Sequence, residues 1–290
     1  MKETFIPRRF SAKSKVKLAQ LSEILEVYKE EKVTDRQLYY QMVAKFNYPN
    51  STPSYNNFCG LVRDARLSGC IDWDIIEDRS RTPNKPSQFD GIRDGIATLI
   101  GSYRLDRWVE QKNYVEVWVE KDALSAVFTP ITDQYHVLLM ANHGYPSITV
   151  IHDASVRFKQ AAERGKACTV LYFGDHDPSG LHMTDSIGET LNSTFGCSVT
   201  VIRVALTTEQ VHMHKLPPNP AKLTDPRSKK YVAEHGEGSW ELDALPPDVL
   251  RKLLTDAIME YLELDAFDRI IQKEESDKSE LARIAEQTGL

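Results

Sequence analysis

No run in the 290 residues is apolar for the length that a membrane-spanning helix needs, so no membrane association is expected. The opening MKETFIPRRFSAKSK lacks the apolar centre of a signal peptide, and a cytoplasmic protein is the expectation. Cysteine is scarce. Cys59, Cys70, Cys168 and Cys197 are scattered, with no Cys-x-x-Cys pair and no histidine at zinc spacing, which argues for small core residues in a reducing compartment. A G-x-x-x-x-G-K-[ST] phosphate loop is missing as well. Gly165-Lys166 lacks the earlier glycine and the hydroxyl, so the chain itself should not hydrolyse ATP. There is no internal repeat and no low-complexity tract. The net charge of −6 argues against a protein that coats nucleic acid indiscriminately.

What is present is an ordinary mix, 41% hydrophobic and 27% charged, long enough for two domains and a sizeable core. The charge is uneven. Met1 to Asp90 holds 15 Lys and Arg against 12 Asp and Glu, about +3, which leaves 21 against 30, about −9, for the remainder.

The basic part reads as three helices. Ser11 to Lys32 carries Leu18, Leu21, Ile24, Leu25 and Tyr28 at helical spacing, and Thr34 with Gln37 forms a capping box for a second helix. A third runs from about Ser54 to Leu67. The segment CIDWDIIED then reads as a strand and RSRTPNKPSQ as a basic loop. Three helices, a strand and such a loop predict a winged helix-turn-helix over residues 1–89. Arg63 and Arg66 would be available to DNA on the third helix, and Arg79, Arg81 and Lys85 in the wing, mostly for phosphates. The same arginines also fit a merely solvated face.

Asp90 to Gln111 predicts one long helix bridging to a second domain, residues 90–290. From Asn113 strands and helices alternate: YVEVWVE, helix, HVLLMANHG, helix, CTVLYFG, helix, SVTVIRVAL. The expected fold is α/β, with a mostly parallel sheet and helices on both faces. After Leu216-Pro217-Pro218-Asn219-Pro220 the chain reads as loop to Gly238, and two charged helices follow.

Thr169–Gly180, TVLYFGDHDPSG, is a strand that delivers two carboxylates at its C-terminal tip, the edge where open α/β sheets bind ligands. Alternate positions on extended chain share a side, so Asp175 and Asp177 can hold one cation together. Glu120 ends the earlier strand YVEVWVE in the same way. Three hard oxygen donors without a cysteine pair point to Mg²⁺ or Mn²⁺, in a bowl that would repel a phosphodiester unless a metal filled it. His176, between the aspartates, should point away from them. His182, His212 and His214 have no acid or cysteine spaced to make a site with them.

A strand ending in Glu, then a strand ending in Asp-x-Asp followed by Pro and Gly, resembles the Toprim pattern of topoisomerases, primases and some nucleases. Val119-Glu120-Lys121-Asp122 and Gly174-Asp175-His176-Asp177-Pro178-Ser179-Gly180 look most like the version in the A subunit of topoisomerase VI (type IIB) and the related meiotic double-strand-break protein. The resemblance implies a catabolite-activator-like winged helix followed by a Rossmann-like Toprim domain, in a compact homologue of bacterial or mobile-element kind. That family carries its nucleophile in a motif of Arg, two residues, an aromatic and Tyr. Arg36-Gln37-Leu38-Tyr39-Tyr40 matches, which places the nucleophile on Tyr40.

The local pattern agrees in part. Tyr39 lies three, four and seven residues before Met42, Val43 and Phe46, on the apolar stripe, whereas Tyr40 shares a polar side with Arg36, Ala44 and Asn47. A free tyrosine, with a pKa of about 10, is a poor nucleophile, and Arg36 one turn earlier can favour the phenolate or hold the phosphate. Packing of both tyrosines in a DNA-binding helix remains open on spacing alone. Glu241 and Asp243 of WELDAL can lie near the bowl, as similar acids do in relatives.

The implied reaction is transesterification of double-stranded DNA, leaving a 5′-phosphotyrosyl link and a free 3′-hydroxyl. Cutting both strands implies a homodimer, in which each Tyr of this family meets the other subunit's metal, and strand passage would need a separate ATPase B-type subunit. A nucleoid-associated protein would follow. Two other readings stay open: a Toprim nuclease with water as nucleophile, of plasmid- or phage-defence type, and a non-catalytic DNA-binding protein.

Overall fold

The computed structural model describes residues 2–28, 32–76, 86, 88–220 and 227–287. Three helices come first. α1 (Ala12–Val27) begins at Ser11, whose hydroxyl accepts the N–H of Ser14. α2 (Asp35–Phe46) begins at the expected capping box, in which the Thr34 hydroxyl accepts the Gln37 N–H and the Gln37 side chain accepts the Thr34 N–H. It ends at Asn47, in the left-handed conformation that asparagine tolerates. α3 (Thr52–Leu67) follows, capped by Ser51. Leu21, Ile24, Leu38, Tyr39, Met42, Phe58 and Val62 close a small core between them.

The strand expected at Cys70–Asp78 does not form over the described residues 70–76. Residues up to Ile76 run as turns and bends, with a single parallel bridge between Val33 and Ile76. Local hydrogen bonds outcompete a ladder: Asp72 Oδ1 accepts the Asp74 N–H at 2.9 Å, and Arg66 donates to the carbonyls of Trp73 and Ile76. The expected wing residues Arg79, Arg81 and Lys85 lie outside the described residues.

The long helix expected over Asp90–Gln111 is shorter, α4 (Ile92–Ser102). Tyr103 turns extended, and the Leu105 N–H bonds to Glu274 Oε2 at 3.0 Å.

The alternating half folds as read. β1 (Asn113–Val119), α5 (Ser125–Tyr135), β2 (Leu138–Ala141), α6 (Ile148–Glu163), β3 (Ala167–Phe173), α7 (Pro178–Glu189) and β4 (Val199–Ala205) make a four-stranded parallel sheet in the order β2-β1-β3-β4. The period-two alternation sorts the side chains to two faces. Val115, Val117, Val119, Leu171 and Phe173 meet Val127 and Phe128 of α5 on one side, while Trp118, Val170 and Tyr172 meet Ile151, Phe158 and Met183 of α6 and α7 on the other.

Beyond the sheet come α8 (Thr208–Met213) and β5 (Asn219–Pro220), then α9 (Ser228–His235), which gives part of the expected loop a helix. β6 (Gly238–Ser239) pairs antiparallel with β5. A 3-10 turn at Leu242–Ala244 leads into α10 (Pro247–Met259) and α11 (Leu264–Gln287). Leu250, Leu254 and Ile258 of α10 cover the α5 face of the sheet, and Tyr40 of α2 belongs to that same cluster. Among the described residues no helix is long and apolar enough to cross a membrane.

Candidate functional site

The register of β1 on β3 pairs Val119 with Phe173, so the two strands end side by side and the next residues, Glu120 and Gly174-Asp175, emerge together. Glu120 Oε2 accepts the Asp175 N–H at 2.9 Å. Gly174 makes this contact possible, because a Cβ there would lie 2.7 Å from Glu120 Oε2 and 2.6 Å from the Tyr172 ring. Asp177 caps α7, its Oδ1 accepting the Gly180 N–H at 2.6 Å, and a Cβ at Gly180 would lie 2.2 Å from Asp175 O. The Gly-Asp-x-Asp-Pro-x-Gly spacing thus builds one tight strand-to-helix turn.

A second layer closes on this turn. His176 and Trp240 exchange backbone hydrogen bonds at 2.8 and 2.9 Å, and the Leu242 N–H reaches Asp175 Oδ1 at 2.8 Å. Glu241 and Asp243 therefore lie at the bowl, as the sequence allowed. The His176 ring faces away, between the Tyr231 hydroxyl and the Thr208 hydroxyl, and burial followed by the neighbouring His235 pulls its pKa down to about 4.

Two cations at the site escaped the sequence reading. Lys121 Nζ sits 2.8 Å from Asp175 Oδ2, bonds Glu241 Oε2 and lies 3.8 Å from Asp243 Oδ2. Arg203 of β4 donates to the carbonyls of Leu206, Gly174, Gly180 and Asp175, holding the turn by its backbone. Its signal was an arginine inside the apolar run SVTVIRVAL. For Lys121 the signal was a lysine directly after the strand-end glutamate.

Burial sets the electrostatics. It raises Glu120, against the Asp175 N–H and Lys121, and it pushes Asp175 up to about 7, relieved by Lys121 and reinforced by Glu120, Glu241 and Asp243. Burial alone would lower Lys121, but Asp243, Asp175 and Glu241 outweigh it and keep the ammonium charged.

α2 brings the other half. Arg36 reaches across to the acids, Nη2 3.1 Å from Glu241 Oε2 and Nε 3.1 Å from Asp243 Oδ2. The Arg36 Cζ is 6.0 Å from the Tyr40 ring centroid, and Arg36 and Asn219 both lie close enough to the Tyr40 hydroxyl to act on its titration. The polar company expected for Tyr40 is there, yet the residue is only 5% exposed. Burial first and Glu241 second raise its pKa, and the opposing pull of Arg36, Asn219 and Lys121 does not reverse them. The guanidinium therefore does not make Tyr40 a standing phenolate. Arg36, Tyr40, Tyr55, Asp175, Asp177 and Glu241 line a single cleft of about 640 Å³.

No protein-family model and no curated protein matches the chain.

Arg63 and Arg66 stand apart from this cleft. Arg63 is exposed and its guanidinium lies on Asp64 Oδ1, while Arg66 stacks over Trp73, 4.4 Å from the ring centroid.

Among the described residues, no three His, Cys, Asp or Glu side chains converge tightly enough to hold a metal as they stand. The donor set nevertheless suits a hard divalent ion. Five carboxylates (Glu120, Asp175, Asp177, Glu241, Asp243) face three cations (Arg36, Lys121, Arg203), an excess of two negative charges when all five are ionised. Asp243 is 1% exposed, and neither of its carboxylate oxygens accepts a hydrogen bond from the described residues.

Proposed function

We propose that the chain is a Mg²⁺- or Mn²⁺-dependent DNA-cleaving transesterase built like the topoisomerase VI A subunit. Residues 1–89 would be its winged helix and residues 90–290 its Toprim domain. The observation that supports this reading is the meeting of Tyr40 and Arg36 with Asp175, Asp177 and Glu241 in one cleft. A nucleophile and a phosphate-orienting guanidinium stand opposite hard oxygen donors, the combination that phosphodiester chemistry requires.

In the proposed reaction the Tyr40 Oη attacks a DNA phosphorus, the bond from phosphorus to the 3′ oxygen breaks, and the phenolic proton goes to that leaving oxygen. The products are a 5′-phosphotyrosyl link and a free 3′-hydroxyl. Arg36 orients the phosphate by bidentate hydrogen bonding. A divalent ion among Glu120, Asp175 and Asp177 would supply positive charge to the phosphate oxygens. Double-strand cutting would take two copies of the chain. In such a homodimer the family resemblance would bring each Tyr40 to the metal of the other copy. Strand passage would further call for a separate ATPase subunit.

One observation favours a second reading, a Toprim nuclease in which water attacks: Tyr40 is nearly enclosed and its pKa is raised. End-labelled supercoiled DNA incubated with the protein and Mn²⁺, then quenched with detergent, separates the two. Label retained on wild-type protein and lost in Tyr40→Phe is the outcome expected of the transesterase. Free cut ends with both proteins would replace it with the nuclease, and no cutting by either would leave a non-catalytic DNA-binding protein or a transesterase that needs its partner subunit.

A further inference from the structure

The position of the Lys121 ammonium is unusual for a lysine. It is 19% exposed on its side chain and sits among carboxylate oxygens of three residues from two places in the sequence: Asp175 after β3, and Glu241 and Asp243 from the turn before α10. A lysine on the surface of an acidic bowl normally keeps its head in water. Here the head is drawn inward among three carboxylates.

The two acids that the strand-end pattern singles out beside Asp175 are occupied otherwise. Glu120 Oε2 takes the Asp175 N–H, and Asp177 Oδ1 takes the Gly180 N–H as the cap of α7. Asp243, by contrast, is 1% exposed, accepts no hydrogen bond on either oxygen from the described residues, and meets the two cations Arg36 and Lys121. A buried carboxylate without hydrogen bonds is costly unless a cation compensates it.

We propose that Lys121 Nζ marks the seat of a divalent cation, that Asp175, Glu241 and Asp243 hold this ion, and that Lys121 leaves when it binds. The proposal rests on the metal-dependent reading above and changes its ligand set: Asp175 is shared, while the WELDA turn replaces Glu120 and Asp177. Lys121 then acts as a resident counter-ion that keeps the carboxylates together in the absence of metal, and it sets metal affinity by competing for their oxygens. Three monodentate carboxylates leave room for waters and a phosphate oxygen, the pattern Mg²⁺ and Mn²⁺ favour.

The test is titration of the full-length chain with Mn²⁺ alone, following free Mn²⁺ by electron paramagnetic resonance, without DNA. Lys121→Gln should bind Mn²⁺ about tenfold more tightly than wild type because the competing charge is gone, and Lys121→Arg should not. Asp243→Asn should bind about tenfold or more weakly, which keeps the proposal testable if Lys121→Gln fails to fold. Unchanged or weaker binding by folded Lys121→Gln overturns the proposal. So does a wild-type affinity that Asp243→Asn leaves intact and Glu120→Gln or Asp177→Asn abolishes; in that case the metal-dependent reading stands with its strand-end ligands. No binding by wild type and by Lys121→Gln would overturn the proposal and the metal-dependent reading together.

Discussion

Arg36 Nε and Asp243 Oδ2 stand 3.1 Å apart, one on α2 of the three-helix segment and the other on the turn before α10. This contact ties the helices to the sheet edge, and Asp243 is the more buried partner. Arg36→Ala strips that carboxylate of its nearest cation and should cost about 2 kcal/mol. A lower urea midpoint with an unchanged slope would report it, and Asp243→Asn in the same background should recover part of the loss.

Tyr40 carries a packing role separable from any chemistry. Removing the hydroxyl in Tyr40→Phe should leave stability within about 1 kcal/mol. Tyr40→Ala empties a site in the larger core and should cost about 3 kcal/mol or more. Thermal unfolding of the two variants side by side tests the separation.

On β1 the fully buried Glu116 receives both arms of Arg157, at 2.7 and 2.9 Å, with further hydrogen bonds from Tyr114 and Trp118. Arg157→Leu leaves a carboxylate under the sheet without its cation and should cost about 3–5 kcal/mol. Adding Glu116→Gln should return some of that, read again as a shift in the urea midpoint.

Glu274 gives the acid limb of stability. Burial works to raise it, but hydrogen bonds from Lys278, Arg107 and the Leu105 N–H bring it from 4.5 to about 2. A depressed carboxyl stabilises the fold fully above its unfolded pKa and loses that contribution as pH falls through the folded one. The window is pH 4.5 down to 2, and the size is about 3 kcal/mol. Unfolding free energy measured from pH 6 to pH 3 should fall less steeply in Glu274→Gln than in wild type.

Arg63 and Arg66 should separate in a DNA-binding experiment. Exposed Arg63 is suited to a phosphate, and Arg63→Ala should lower the salt slope of DNA affinity by about 1 without changing stability. Arg66 is engaged with Trp73 and two carbonyls, so Arg66→Ala should lower the unfolding midpoint.

The helices of the first segment and the parallel sheet were legible because their signals are local: Thr34 with Gln37, the helical spacing of Leu18, Leu21, Ile24 and Leu25, the alternation in YVEVWVE. The missing strand after Cys70 and the early end of α4 were not, since an arginine one helix away and a glutamate in α11 decide them. At the candidate site, Glu120, Asp175 and Asp177 could be placed from strand ends alone. Lys121 and Arg203 could not, because what gives them meaning is the set of oxygens they meet in three dimensions.

The sequence suggests a boundary near residue 90, but Tyr40 contributes to the same buried cluster as Trp108, Val115 and Leu250. A plug of this kind couples the two parts' melting. Calorimetry should therefore record one transition, and a fragment ending at residue 89 would carry the buried Tyr40 into water and leave a matching hole in the remainder.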